Sequence, residues 1–143
     1  MGKTIYLSGG WADAPEVSFW AGAIEGVGFR IAHDWFLSAM DPNTKSDGDL
    51  SDAERVRIAK EEFEAVLGCD VFWLLVPSYN GSKGSWFEFG VACALAAAYE
   101  KIDEPQKVSV IVSGAWRGTI FTSLPYVKTF DAHQEAFDHI KGL

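Results

Sequence analysis

Gly84-Ser85-Trp86-Phe87-Glu88-Phe89-Gly90-Val91-Ala92 opens a helix that carries one acidic residue and follows a strongly apolar run at residues 71–77. A strand that leads through a glycine-bearing turn into a helix is a βα unit. In an open α/β sheet, ligands bind outside the carboxyl ends of such strands. Glu88 is thereby positioned for chemistry. Ser85 with Glu88 three positions on also spells a capping box, in which the two side chains satisfy free amides of the first helical turn. The two readings are compatible, because the positive end of the helix dipole favours an ionised carboxylate.

Working outward, Thr4-Ile5-Tyr6-Leu7-Ser8 reads as a buried strand ending in a turn at Gly9 and Gly10. Asp13 is suited to cap a helix with Pro15 and Glu16 in its first turn, running to the glycines at Gly26 and Gly28. Strand two is expected at 29–33. Residues 34–50 form a long polar connection, a candidate binding loop. Ser51 with Glu54 makes a second capping box, and Val56, Ala59, Phe63, Val66 and Leu67 mark one face of the helix that follows. Strand three is expected at 70–76. The helix bearing Glu88 continues through Val91, Ala92, Cys93, Ala94 and Leu95, apolar nearly all round, which predicts burial. Residues 107–112 and 126–130 read as strands four and five, and 133–140 as a closing helix. This alternation predicts an α/β fold, a five-stranded parallel sheet with helices on both faces.

A chain of 143 residues with 48% hydrophobic content has the size and apolar surface of one domain, taken as 1–143. Its net charge of −8 argues against binding polymeric nucleic acid, whose affinity comes largely from neutralised phosphates. No run of about 18 apolar residues occurs, so no membrane association is expected. The start of the chain passes from Lys3 into a short apolar segment without a cleavable signal, and a cytoplasmic protein is expected. The two cysteines, Cys69 and Cys93, have no metal-ligand spacing and read as core thiols.

With these pieces in place, the chain resembles the nucleoside 2-deoxyribosyltransferase family, including its relatives that hydrolyse nucleoside 5′-monophosphates at the N-glycosidic bond. The likeness rests on Thr4-Ile5-Tyr6-Leu7-Ser8-Gly9-Gly10-Trp11, on Asp70 opening strand three, and on the Gly84-to-Ala92 motif. It implies a single-domain flavodoxin-like (Rossmann-like) fold, no metal or organic cofactor, and a retaining double displacement with Glu88 as nucleophile at the anomeric carbon. A carboxylate is chemically suited to that role, since it traps an oxocarbenium-like centre covalently. Glu62, eight residues before Asp70, matches the position of an acidic residue near the scissile bond, with Glu61 as its competitor. Tyr6 and Trp11 match positions lining the site, Tyr6 able to hydrogen-bond the nucleophile and Trp11 able to cover base or sugar.

His33 and Asp34, at the end of strand two, and Gly10 in the first turn are further candidates for substrate contact, with Trp35 as a stacking partner for the base. Six residues before the nucleophile, transferases acting on free nucleosides carry an Asp for the sugar 5′-hydroxyl, whereas this chain has Ser82, followed by Lys83 and Gly84. The nucleotide hydrolases hold the 5′-phosphate with serines, and free amides at a helix start suit a phosphate. A nucleoside monophosphate is therefore the expected substrate, with the turn Asn80-Gly81-Ser82-Lys83-Gly84 at its 5′ end. In this family a neighbouring subunit completes that pocket from the segment after strand four, here Arg117, Gly118, Thr122 and Ser123, which implies a homodimer or higher homo-oligomer. Two other readings remain open on the same scaffold: a non-catalytic nucleotide-binding module, and a flavin-binding electron carrier. The flavin reading lacks a hydroxyl-rich phosphate loop at Ser8-Gly9-Gly10-Trp11-Ala12.

Overall fold

The computed structural model describes residues 2–79, 82–105, 107–115 and 119–143. Five parallel strands form one sheet: β1 (Thr4–Ser8), β2 (Arg30–Ile31), β3 (Val71–Leu75), β4 (Ser109–Ser113) and β5 (Val127–Phe130), in the order β2-β1-β3-β4-β5. That order is flavodoxin-like. Its switch point lies between β1 and β3, where the chain has built to one side of β1 and then turns to the other. The helices are α1 (Ala14–Gly26), α2 (Trp35–Met40), α3 (Asp52–Gly68), α4 (Lys83–Lys101) and α5 (His133–Ile140). Of these, α1, α2 and α5 cover one face of the sheet and α3 with α4 the other.

The central strands are continuous apolar runs because both of their faces are covered. In β3, Val71, Phe72, Trp73, Leu74 and Leu75 are all buried. Alternation sends Tyr6 and Ser8 of β1 toward α4, so Ile5 and Leu7 face the α1 side. Tyr6 stacks on its register neighbour Phe72 at 5.9 Å, whereas Trp73 packs edge-on against Trp20 of α1 at 5.7 Å. On that α1 side, Trp73 Nε1 donates to Ser113 Oγ (2.8 Å), which in turn meets His133 Nδ1 (2.7 Å) at the start of α5.

Several local expectations are corrected. Strand two shrinks to Arg30–Ile31, and strands three and four settle at Val71–Leu75 and Ser109–Ser113. The connection at 34–50 is not all loop: it holds α2 and a 3-10 turn, Asp47–Asp49. Only Val66 is buried in α3, leaving Val56, Phe63 and Leu67 of the predicted apolar face exposed. In α4 the buried face is Ser85, Phe89, Ala92, Cys93 and Ala96, while Phe87 stands in solvent, so that helix is half-covered rather than enclosed. Both cysteines are free and buried. The Ser51–Glu54 capping box forms as read, and the turn after α1 closes through Gly28, whose φ of +100° only glycine adopts readily. Among the described residues, no helix is long and apolar enough to cross a membrane.

Candidate active site

At the carboxyl edge of β1, two side chains of the same face converge on one carboxylate. Tyr6 donates its hydroxyl to Glu88 Oε2, and Ser8 Oγ donates to Glu88 Oε1 at 2.8 Å. Tyr6 and Ser8 are fully buried. Burial pushes the Glu88 carboxyl up from its ordinary pKa, and the two hydroxyl donors oppose that by stabilising the ionised form. Burial, with Glu88 alongside, drives the Tyr6 phenol far above its usual range, so it stays a donor.

The expected Ser85–Glu88 capping box does not form. The helix begins earlier, at Lys83, with Ser82 as N-cap and no side-chain cap. Glu88 consequently lies in the second turn and reaches the sheet instead of the helix end. Ser85 donates to the carbonyl of Gly9 at 2.7 Å, and its oxygen is hydrogen-bonded to the Ser82 hydroxyl. Because the one proton of Ser85 goes to Gly9, Ser82 is the donor of that pair and turns its lone pairs outward.

A cavity of about 140 Å³ opens beside Glu88, lined by Glu62, Phe63 and Val66 of α3 and Gly84, Phe87 and Val91 of α4. Glu62 is pushed up to about 7, first by burial and then by the charge of Glu88. Its neighbour Glu61 points elsewhere, pairing with Arg57 at 3.2 Å and with His33 Nε2 at 3.8 Å. The two carboxylates of the cavity are thus held differently: Glu88 by two donors, Glu62 by none that counters its desolvation. Environments that separate two carboxyl groups in this way divide them into a base-like and an acid-like member.

The turns after β1 and β3 are tied to each other. Asp13 is not a side-chain cap for α1: it accepts from the backbone N–H of Ser78 (3.0 Å) and from its hydroxyl, tying the turn after β3 to the turn after β1. The Tyr79 ring packs over Gly10, where a Cβ would lie 2.7 Å from it. Trp11 is half-exposed and stacks on Trp35 at 6.4 Å. Trp35 itself is buried and donates to the carbonyl of Leu7 (2.7 Å), which corrects its expected role as a stacking surface for the base.

Other candidates scatter. Asp70 sits at the amino end of β3 and accepts from the backbone N–H (2.8 Å) and hydroxyl (3.1 Å) of Thr4, so it clasps two strands at the edge opposite Glu88 and is corrected to a structural residue. His33 presents a buried Nδ1 without a hydrogen-bond partner among the described residues, and Asp34 is exposed beside it. Lys83 is exposed in the first turn of α4. Thr122 and Ser123 lie in a 3-10 turn against β5, where Thr122 Oγ1 donates to the carbonyl of Thr119, away from the Glu88 cavity of their own chain. Asn80, Gly81, Arg117 and Gly118 fall outside the described residues.

Comparisons with protein-family models, with curated proteins and with solved structures find no match. Among the described residues, no group of three His, Cys, Asp or Glu side chains is arranged to hold a metal ion. Ser8 is the functional candidate that motif reading passed over, although its place two residues after Tyr6 on a strand predicts a shared face.

Proposed function

We propose that this protein cleaves or transfers at the N-glycosidic bond of a (deoxy)nucleoside 5′-monophosphate or (deoxy)nucleoside, through a covalent glycosyl-Glu88 intermediate. The observation that carries this reading is the pairing, in one cavity, of a carboxylate anchored by two hydroxyls with a second carboxyl pushed up to about 7. In the first step an oxygen of Glu88 bonds to C1′ as the C1′–N bond breaks. The electron pair leaves with the base, which takes a proton from Glu62. In the second step water or an acceptor base gives up a proton to Glu62 and takes C1′ from the same face, and the C1′–O pair returns to Glu88.

Ser82 and Lys83 at the start of α4 support a 5′-phosphate, because a cation and free helix amides favour an anion. A second reading, a deoxyribosyltransferase acting on free nucleosides, draws on the direction of the Ser82–Ser85 bond. A Ser82 oxygen with lone pairs outward accepts a 5′-hydroxyl without rearrangement, whereas a phosphate requires its proton to turn. The exposed Val56, Phe63 and Phe87 on α3 and α4 support the homo-oligomer that the resemblance implies.

The deciding experiment is a screen of nucleosides and their 5′-monophosphates for free base, with and without an acceptor base, followed by mass spectrometry of the trapped protein. Base release together with a glycosyl adduct on the peptide containing Glu88 is expected. Nucleotide binding without release of base from any compound would replace the enzyme with a binding module.

A further inference from the structure

We propose that Ser8 is a positioning residue for Glu88, an inference that rests on the glycosidic reading above: with Tyr6 on one carboxylate oxygen and Ser8 on the other, the plane of the nucleophile is set by the buried strand β1. Ser8 has no exposed surface, and its strand neighbours Leu7 and Leu74 are apolar. A hydroxyl in such a layer costs stability unless it is bonded, and its partner is Glu88 Oε1 at 2.8 Å.

A single donor leaves a carboxylate free to pivot about its last torsion. Two donors on different oxygens, projecting from successive same-face positions of one buried strand, remove that freedom. The second donor has a further consequence for the chemistry. When the C1′–O bond breaks and its electron pair returns to Glu88, the Ser8 hydrogen bond strengthens with the charge on the carboxylate. Ser8 therefore assists departure of the sugar while making and breaking no bond itself.

The test is a carbon-13 titration of the Glu88 side-chain carboxyl in the whole protein, its signal assigned by its loss in Glu88→Gln. In Ser8→Ala the midpoint should rise by about one pH unit, the size expected for one hydrogen bond to a charged group. Ser8→Thr, which keeps a hydroxyl, should restore the parent value. In turnover, the acidic limb of kcat/KM should move with the midpoint. The kcat of Ser8→Ala should fall about 10-fold and KM should fall with it, as slowing of the second step alone requires, and glycosyl-Glu88 should accumulate. An unmoved midpoint in Ser8→Ala overturns the proposal and leaves Ser8 as packing. A moved midpoint in a parent protein that releases no base from any nucleoside or nucleotide overturns the glycosidic reading, and with it the catalytic use of a hydrogen bond that is nonetheless real.

Discussion

Ser113 Oγ lies 2.7 Å from Nδ1 of His133, and the opposite ring nitrogen, Nε2, lies 3.4 Å from a carboxylate oxygen of Glu16. The indole N–H of Trp73 can only donate, so Ser113 accepts there and keeps its own proton available for Nδ1. With Nδ1 accepting from Ser113, the neutral imidazole carries its proton on Nε2, toward Glu16.

That geometry predicts a pH dependence of stability separate from the catalytic site. Burial lowers the pKa of His133 in the fold, against the opposing charges of Glu16 and Asp13. The unfolded chain therefore takes up the proton first, and stability present above about 6.5 is lost as pH falls below it. Urea unfolding of the parent and of His133→Gln between pH 5 and 8 checks this. The variant should lose part of the decline on the acid side, and parallel curves would remove His133 as its source.

Replacing Glu88 by Gln should reduce base release by on the order of 1,000-fold or more while the fold persists, since the amide fills the same volume and relieves a buried charge. Circular dichroism and base release on the same sample make the comparison. A variant retaining most of its turnover would exclude Glu88 as nucleophile.

For Glu62, activity and stability should move in opposite directions. Its carboxyl titrates near 7 in the fold, well above the ordinary 4.5, so ionising it costs stability as pH rises from about 4.5 through 7. Glu62→Gln should accordingly raise stability at pH 8 by on the order of 1–2 kcal/mol. It should also slow turnover and erase the basic limb of the kcat/KM profile. Thermal melts at pH 5 and pH 8 supply the stability comparison, with a gain expected only at the higher pH.

Ser82→Asp should shift preference from monophosphate toward nucleoside. The new carboxylate repels a 5′-phosphate yet accepts a hydrogen bond from a 5′-hydroxyl, a change worth about 10–100-fold in the ratio of specificity constants. The ratio for one matched pair of substrates, measured in both proteins and at two salt concentrations, tests it. A parent protein that already prefers the free nucleoside would favour the transferase reading instead.

Much of the fold was legible along the chain, because strands and helices announce themselves through nearest-neighbour chemistry. The first strand and the closing helix were read to the residue, and the cap at Ser51 with Glu54 three residues on needs nothing beyond its own turn. What misled was partnership at a distance. Ser85 with Glu88 reads as a local cap, but Ser85 reaches the carbonyl of Gly9, 76 positions away, and Glu88 reaches β1. Asp13 serves Ser78 rather than its own helix, and Asp70 serves Thr4 at the far edge of the sheet.

The amino-acid sequence by itself determined the alternation of elements, and hence the parallel sheet and the candidacy of Tyr6 and Glu88. Only the tertiary structure decided that Ser8 joins them, that Glu62 and not Glu61 lines the cavity, and that Trp35 is core. The physical reason is that a hydroxyl or carboxylate bonds whichever partner burial brings within about 3 Å. Sequence spacing specifies the partners one turn away, whereas packing of β1 against α3 and α4 supplies the rest.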